Sequence, residues 1–206
     1  MSQTVCFYVA DPMCSWCWGF APVFDEVTHA LPGDVELRYV LGGLAPDSDA
    51  PMHEELQQKL QATWRTIGEQ TGAQFNFDFW TECKPRRSTY PACRAVLAAR
   101  HQMAHKTSAM FRAIQRAYYQ EARNPSDAVT LIALAVEIGL DADRFAGDLM
   151  SPEIESQLQA CFAARRRLNA YSFPSLILER DGSAQWITEG YSSTDSVLPR
   201  LREALG

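Results

Sequence analysis

Thr4 to Ala10 is a short apolar run rich in β-branched and aromatic residues, the pattern of a buried strand. Asp11-Pro12 stops it, because proline has no N–H for a ladder hydrogen bond. Beyond it Trp16, Phe20, Phe24, Val27 and Leu31 recur at three- or four-residue spacing. That spacing predicts one helix over 15–31 with a single apolar face, and Pro22 inside it predicts a kink. Pro32-Gly33-Asp34 is a turn signal. Val35 to Leu41 reads as a second strand, broken by Gly42-Gly43. The chain therefore opens as strand–helix–strand.

The other end reads differently. Ser175 to Leu178 is an apolar strand after Pro174, and Asp181-Gly182 is a hairpin turn leading to a paired strand over Ala184 to Thr188. Gly190 ends that strand. A last helix over Thr194 to Leu205 turns Val197, Leu198, Leu201 and Leu205 inward. Between the two ends, residues 52–169 read as helices. Met52 to Gln70 is periodic and Gly72 suits its C-terminal cap. Pro91 opens a helix to about His105, with Thr89 or Ser88 as cap. Ser108 to Glu121 is another. Ser126 or Asp127 can cap the next, which ends at Gly139. Ser151-Pro152 starts one that runs to about Leu168.

Composition narrows the function classes. The chain has 206 residues, 47% hydrophobic and 21% charged, enough apolar material for a core without covalent staples. Its net charge of -6 leaves no basic excess for phosphates, which argues against nucleic acid as a partner and against an anionic membrane surface. The N-terminal stretch lacks the basic and long apolar segments of a signal peptide, and no uncharged run suits a membrane span. These features predict a cytoplasmic protein. In a reducing compartment six cysteines do not predict a structural disulfide framework, so a close pair points to metal or redox chemistry.

The close pair is Cys14-Ser15-Trp16-Cys17. Placed where a strand passes into a helix, the first thiol meets unpaired backbone N–H groups that favour its thiolate, the nucleophilic form. Cys14 is thus the expected attacking residue. Cys17, one turn further and more sheltered, can resolve the mixed disulfide. A zinc half-site is the competing use, but a closed site needs about four ligands and no second pair of this spacing exists. His101 and His105 lie four apart on a helix without a completing carboxylate motif, so no metal is expected. Cys6 and Cys161 read as small buried apolar residues. Cys83 and Cys93 could close a disulfide around Lys84-Pro85-Arg86-Arg87, or remain free. Lys84, Arg86 and Arg87 read most simply as a solvated loop that could also contact an anionic substrate or glutathione. Arg165-Arg166-Arg167 reads as a solvated helix end. Trp16, Trp18, Phe20 and Phe173 divide between core and the lining of the site's mouth.

Asp11-Pro12-Met13-Cys14-Ser15-Trp16-Cys17-Trp18-Gly19-Phe20, the helix start Ser88-Thr89-Tyr90-Pro91-Ala92-Cys93-Arg94-Ala95 and Phe173-Pro174-Ser175 together resemble the DsbA-like branch of the thioredoxin superfamily. The likeness is closest to its cytoplasmic disulfide-isomerase members and the FrnE-like proteins, and it extends over nearly the whole chain. It implies an α/β thioredoxin-like fold (βαβ…ββα) with a helical insertion: residues 1–50 and 170–206 as the thioredoxin-like part and 51–169 as the insertion. It implies Cys14 as nucleophile and Cys17 as resolver. It implies a cis peptide before Pro174, with Phe173 presenting its backbone to an extended substrate; a plain trans proline at a strand start is the alternative. Residues from Thr89 to Arg94 are implied to line the cleft, with Ser15 and Trp16 contacting substrate. Protein dithiols and disulfides, and glutathione, are the implied partners, with no cofactor. The Ser15-Trp16 dipeptide departs from the better-known Gly-Pro and Pro-His pairs, which leaves the redox direction open; Ser15 could donate to the Cys14 sulfur. The same branch holds SpxH-type adaptors that deliver clients to an ATP-dependent protease. It also holds 2-hydroxychromene-2-carboxylate isomerases and kappa-class glutathione transferases, which carry serine where Cys14 stands.

Overall fold

The structure, a computed structural model, describes residues 3–206; Met1 and Ser2, which open the stretch read for a leader, lie outside them. Its sheet holds β1 (Thr4–Ala10), β2 (Val35–Leu41), β3 (Ser175–Arg180) and β4 (Ser183–Glu189) in the order β2-β1-β3-β4. β1 pairs parallel with β2 and antiparallel with β3, and β3 pairs antiparallel with β4. The apolar run of β1 is explained by this central place: Cys6 is opposite Leu37 on one side and Leu178 on the other. A strand covered on both faces and paired on both edges has no polar position to spare. The β3–β4 turn is the one the sequence announces, with Asp181 at φ 55° and Gly182 at φ 76°.

The single helix expected over 15–31 is two. α1 (Ser15–Gly19) ends and α2 (Ala21–Ala30) begins at Phe20. Pro22 lies in the first turn of α2, where its missing N–H costs no hydrogen bond, so it starts a helix instead of kinking one. Seven helices fill the stretch between β2 and β3: α3 (Glu54–Thr71), α4 (Phe79–Glu82), α5 (Tyr90–Gln102), α6 (Lys106–Tyr119), α7 (Ala128–Glu137), α8 (Ala142–Leu149) and α9 (Pro152–Arg167). α10 (Thr194–Leu205) closes the chain, packed against α2, while α9 packs on β2. No helix among the described residues is long and apolar enough to cross a membrane.

Two expected caps differ. Thr89 is the residue before α5 but does not cap it; its hydroxyl is drawn to Asp11 instead. Neither Ser126 nor Asp127 caps α7, because Ser126 donates to the Ser88 carbonyl at 2.7 Å and Asp127 accepts from Arg86 at 2.5 Å. Ser151 caps α9 as read, accepting from the Ile154 N–H at 3.2 Å. Gly72, at φ 75°, ends α3 in the left-handed conformation that a Cβ disfavours.

Behind the end of the sheet where β1 meets α1, Trp64 of α3 is almost fully buried. Its ring lies 4.8–6.0 Å from those of Phe75, Phe77, Phe79, Trp80, Tyr118 and Tyr119. Aromatic pairs at such spacings contribute about 0.5–1.5 kcal/mol each beyond the area they bury. This cluster ties α3, α4 and α6 into one wall. Trp18 of α1 stacks on Tyr119 at 5.6 Å, and its Nε1 donates to the Gln74 carbonyl at 3.0 Å. The wall is thus fixed against the helix that carries the cysteines.

Candidate active site

β1 ends at Ala10, and the chain turns over Asp11-Pro12-Met13 before entering α1. Cys14 occupies the residue before the helix, in extended conformation at φ -83° and ψ 115°. Its Sγ is 3.7 Å from the carbonyl oxygen of Phe173, toward which the thiol can donate. The Phe173-Pro174 peptide is cis, as the resemblance implied. Residues 159 apart in sequence therefore meet across the strand ends. Cys14 is 7% exposed and Cys17 is 0% exposed. Burial pushes the Cys17 thiol well above its ordinary value; the neighbouring Cys14 adds to this, and the Asp11 backbone opposes it. One sulfur faces a cleft and the other is sealed behind it, the asymmetry that attack followed by resolution requires.

The cleft beside Cys14 encloses about 260 Å³. Met13, Ser15, Trp16 and Phe173 line it together with Trp64, Tyr118 and Arg87. Ser15, Trp16 and Phe173 are thus beside the thiol, and Trp16 also leans on Tyr191 at 5.6 Å. Pro174 is buried and is not among the residues lining the cleft. Ser15 makes no hydrogen bond to the Cys14 sulfur; the Phe173 carbonyl is that sulfur's partner.

Thr89 is 1% exposed and is not among the residues lining the cleft. Its hydroxyl donates to Asp11 Oδ2 at 2.8 Å and accepts from the Ala45 N–H at 3.1 Å. Arg94 also turns away, paired with Asp47 and with Glu155. No residue from 89 to 94 lines the cleft; Arg87, two residues before Thr89, does.

Asp11 is the functional residue that sequence periodicity passes over. Its side chain is fully buried. Oδ1 accepts from the Met13 N–H at 2.8 Å, and Oδ2 accepts from the Leu44 N–H at 2.8 Å, from Thr89, and from the Cys93 thiol at 3.6 Å. One carboxyl thus holds the turn before Cys14, the loop after β2 and the start of α5 together. Complete burial raises its pKa above 3.8 despite these donors. An acidic residue directly after a buried strand and before a proline was the available signal, since a stop needs no charge.

The remaining cysteines and arginines settle as follows. Cys83 and Cys93 are both free, the first donating to the Ala122 carbonyl at 3.0 Å and the second facing Asp11, so no disulfide closes the 83–93 loop. Cys6 and Cys161 are buried as read. Arg86 is no solvated residue: it pairs with Asp127 and donates to the Ser126 carbonyl at 2.7 Å. Arg165 likewise donates to the Gly42 carbonyl at 2.6 Å, with its guanidinium near the Tyr171 and Phe173 rings. Arg167 is exposed but pairs with Glu179 at 2.5 Å. His101 lies 3.5 Å from Asp148, and the described residues hold no group of three or more His, Cys, Asp or Glu arranged for a metal ion.

Gly42 gives the site a testable weak point. A Cβ there would stand 2.5–2.8 Å from the Phe173 ring. Gly42→Ala is expected to displace that ring from the cleft, cost about 1–3 kcal/mol as overpacking, and slow exchange at Cys14. Urea unfolding and a stoichiometric disulfide-reduction rate measure the two effects. An unchanged rate would show that the position of the Phe173 ring is immaterial.

A family model, the DSBA-like thioredoxin domain, matches residues 4–200. Among solved structures, a provisionally assigned protein disulfide isomerase from Nitrosomonas europaea superposes with a TM-score of 0.88 at 30% identity, over 98% of each chain. The cytosolic disulfide reductase DsbM from Pseudomonas aeruginosa gives a TM-score of 0.78 at 27% identity, again over 98% of each chain. DsbM solved with GSH gives 0.77 at 25%, over the same shares. A curated relative, the ClpXP adapter protein SpxH of Bacillus subtilis (strain 168), is 24% identical over 172 residues, or 82% of this chain and 56% of that protein. The chain thus spans little more than half the length of the curated relatives it matches.

Proposed function

The chain belongs to the DSBA-like thioredoxin domain family, and from that premise, with a cytosolic disulfide reductase among its structural neighbours, we propose that it reduces disulfides through Cys14 and Cys17. The observation that carries this is the pairing of a cleft-lining Cys14, facing the Phe173 carbonyl, with a Cys17 sealed directly behind it. In the reaction Cys14, as thiolate, attacks one sulfur of a substrate disulfide. The substrate S–S bond breaks, a Cys14–substrate disulfide forms, and the departing sulfur takes a proton from solvent. Cys17 then loses its proton and attacks Cys14. The second substrate thiol leaves, and the protein keeps a Cys14–Cys17 disulfide. Two electrons have passed to the substrate.

Phe173-Pro174 is the substrate-binding turn, its backbone available to an extended segment, and Ser15 and Trp16 flank the reacting sulfur. Thr89 acts at one remove, through Asp11. The partners are protein disulfides and glutathione. The glutathione assignment is supported by the DsbM structure with GSH, and the reductive direction and a cytoplasmic site of action by DsbM's description as a cytosolic reductase.

The test is a trap. Cys17→Ala removes the resolving sulfur, so Cys14 should stay joined to its substrate, and mass spectrometry of peptides containing Cys14 should find one adduct per chain. In the parent protein, alkylation before and after mild oxidation should report a reversible Cys14–Cys17 couple. If both thiols stay alkylatable after oxidation and the trap is empty, the assignment is lost. A second use is favoured by the SpxH relatives: client binding without turnover. It predicts partner capture that survives Cys14→Ser combined with Cys17→Ser, which the redox mechanism does not.

A further inference from the structure

The cleft beside Cys14 is lined by aromatic, apolar and small polar side chains with one exception, Arg87, its only charged group among the described residues. Arg87 is half-buried and has no carboxylate partner among the described residues. Other arginines nearby are committed: Arg86 to Asp127 and Ser126, and Arg165 to the Gly42 carbonyl. Arg87 shares the cleft lining with Tyr118, and its charge opposes the rise that burial gives that phenol. An unpaired guanidinium in an apolar cleft beside a reactive sulfur is a receptor for an anion.

We propose that Arg87 selects the substrate: it takes disulfides that carry a carboxylate a short span from the reacting sulfur, and pairs with that carboxylate within the cleft it shares with Cys14. This rests on Cys14 being the attacking thiol. The direction of the effect is diagnostic because the rest of the molecule opposes it. The chain carries a net charge of -6, so its overall field attracts cations and repels anions. The adjoining groove beyond Trp16 and Phe173 carries Glu189, which also favours cations. A preference for anionic disulfides calls for a local cation; Arg165, near the Tyr171 and Phe173 rings, is held by the Gly42 carbonyl, and Arg87 is the cation that lines the cleft itself.

The experiment uses the full-length reduced protein and three small disulfides: dithiodipropionate, a dianion; hydroxyethyl disulfide, neutral; and cystamine, a dication. Each is mixed with protein in one stoichiometric turnover, for which the Cys14–Cys17 dithiol supplies both electrons. Each rate is divided by that of the same disulfide with a small neutral thiol, which removes differences between leaving groups. The expected normalised order is anion above neutral above cation, with the anion ahead of the neutral compound by about tenfold at low salt, the scale of one charge-assisted hydrogen bond. Added salt should narrow the gap. Arg87→Gln should bring the anion-to-neutral ratio to about one or below, and Arg87→Lys should keep part of it. A parent ratio at or below one, or a ratio unmoved by Arg87→Gln, overturns the proposal while leaving Cys14 chemistry intact. If none of the three is reduced and no Cys14–Cys17 disulfide forms, the redox function itself has failed, and the substrate preference with it.

Discussion

Cys14→Ser is expected to abolish disulfide exchange, lowering turnover by roughly 10³-fold or more, the scale of removing a covalent nucleophile. A serine oxygen cannot form the mixed disulfide, and no other sulfur is placed to substitute. Cys6, Cys17 and Cys93 are fully buried. Burial pushes the Cys161 thiol up. Cys83 is half-buried, and its thiol is pushed up by burial and by the nearby Asp127 and Glu82, which leaves little of it as thiolate. The fold should be unaffected, because a hydroxyl can still donate toward the Phe173 carbonyl; stability should stay within about 1 kcal/mol of the parent. Reduction of a fluorogenic peptide disulfide measures the loss, thermal unfolding checks the fold, and Cys83→Ser provides a comparison that keeps its activity. Retention of a large part of the turnover by Cys14→Ser would place the chemistry on another sulfur.

Much of this architecture is legible in the chain because local and tertiary demands coincide. β1 shows itself as an unbroken apolar run because it is the central strand. The hairpin at Asp181-Gly182 shows itself because only a few residues accept positive φ. The short helices are less legible. α8 carries only Phe145 and Leu149 as buried apolar positions, too few to establish a period. α4 has a single turn, and Trp64 with its aromatic neighbours holds it from outside. The break at Phe20 is hidden for the opposite reason, since α1 and α2 together keep one apolar face across the interruption. In the site, CxxC is a local signal and is read directly. The roles of Arg86, Arg87 and Arg165 are not, since three arginines in similar polar surroundings end respectively in an ion pair, an apolar cleft and a backbone carbonyl. Nothing within a few residues of each distinguishes those ends. Asp11 is legible only as a charge out of place after a strand; what it binds is not, for its donors Leu44, Thr89 and Cys93 come from other segments.

That buried carboxyl gives the largest stability effect expected from a single side chain. Asp11→Ala leaves the Met13 and Leu44 N–H groups and the Thr89 hydroxyl without their acceptor. Each orphaned buried donor costs about 1–3 kcal/mol, and partial relaxation of the loop at Leu44 sets the total at about 3–5 kcal/mol. For a chain of this size that lowers Tm by on the order of 10 °C. Exchange at Cys14 should also slow by about tenfold or more at temperatures where the variant is fully folded, because the turn that aims Cys14 has lost its anchor and small misplacements of a reacting atom are costly. The pH dependence separates charge from shape. Burial raises the Asp11 carboxyl above 3.8, so the folded protein keeps a proton that the unfolded chain has released. The stability this contributes is full below the unfolded value and is lost as pH rises through the folded one. Asp11→Asn, which cannot titrate, lacks that slope. The stability gap between parent and Asp11→Asn should therefore be widest near about pH 4 and narrow as pH rises. Chemical denaturation of both proteins across that range measures it. A gap that widens with pH would mean that the four donors outweigh burial and hold the carboxylate ionised.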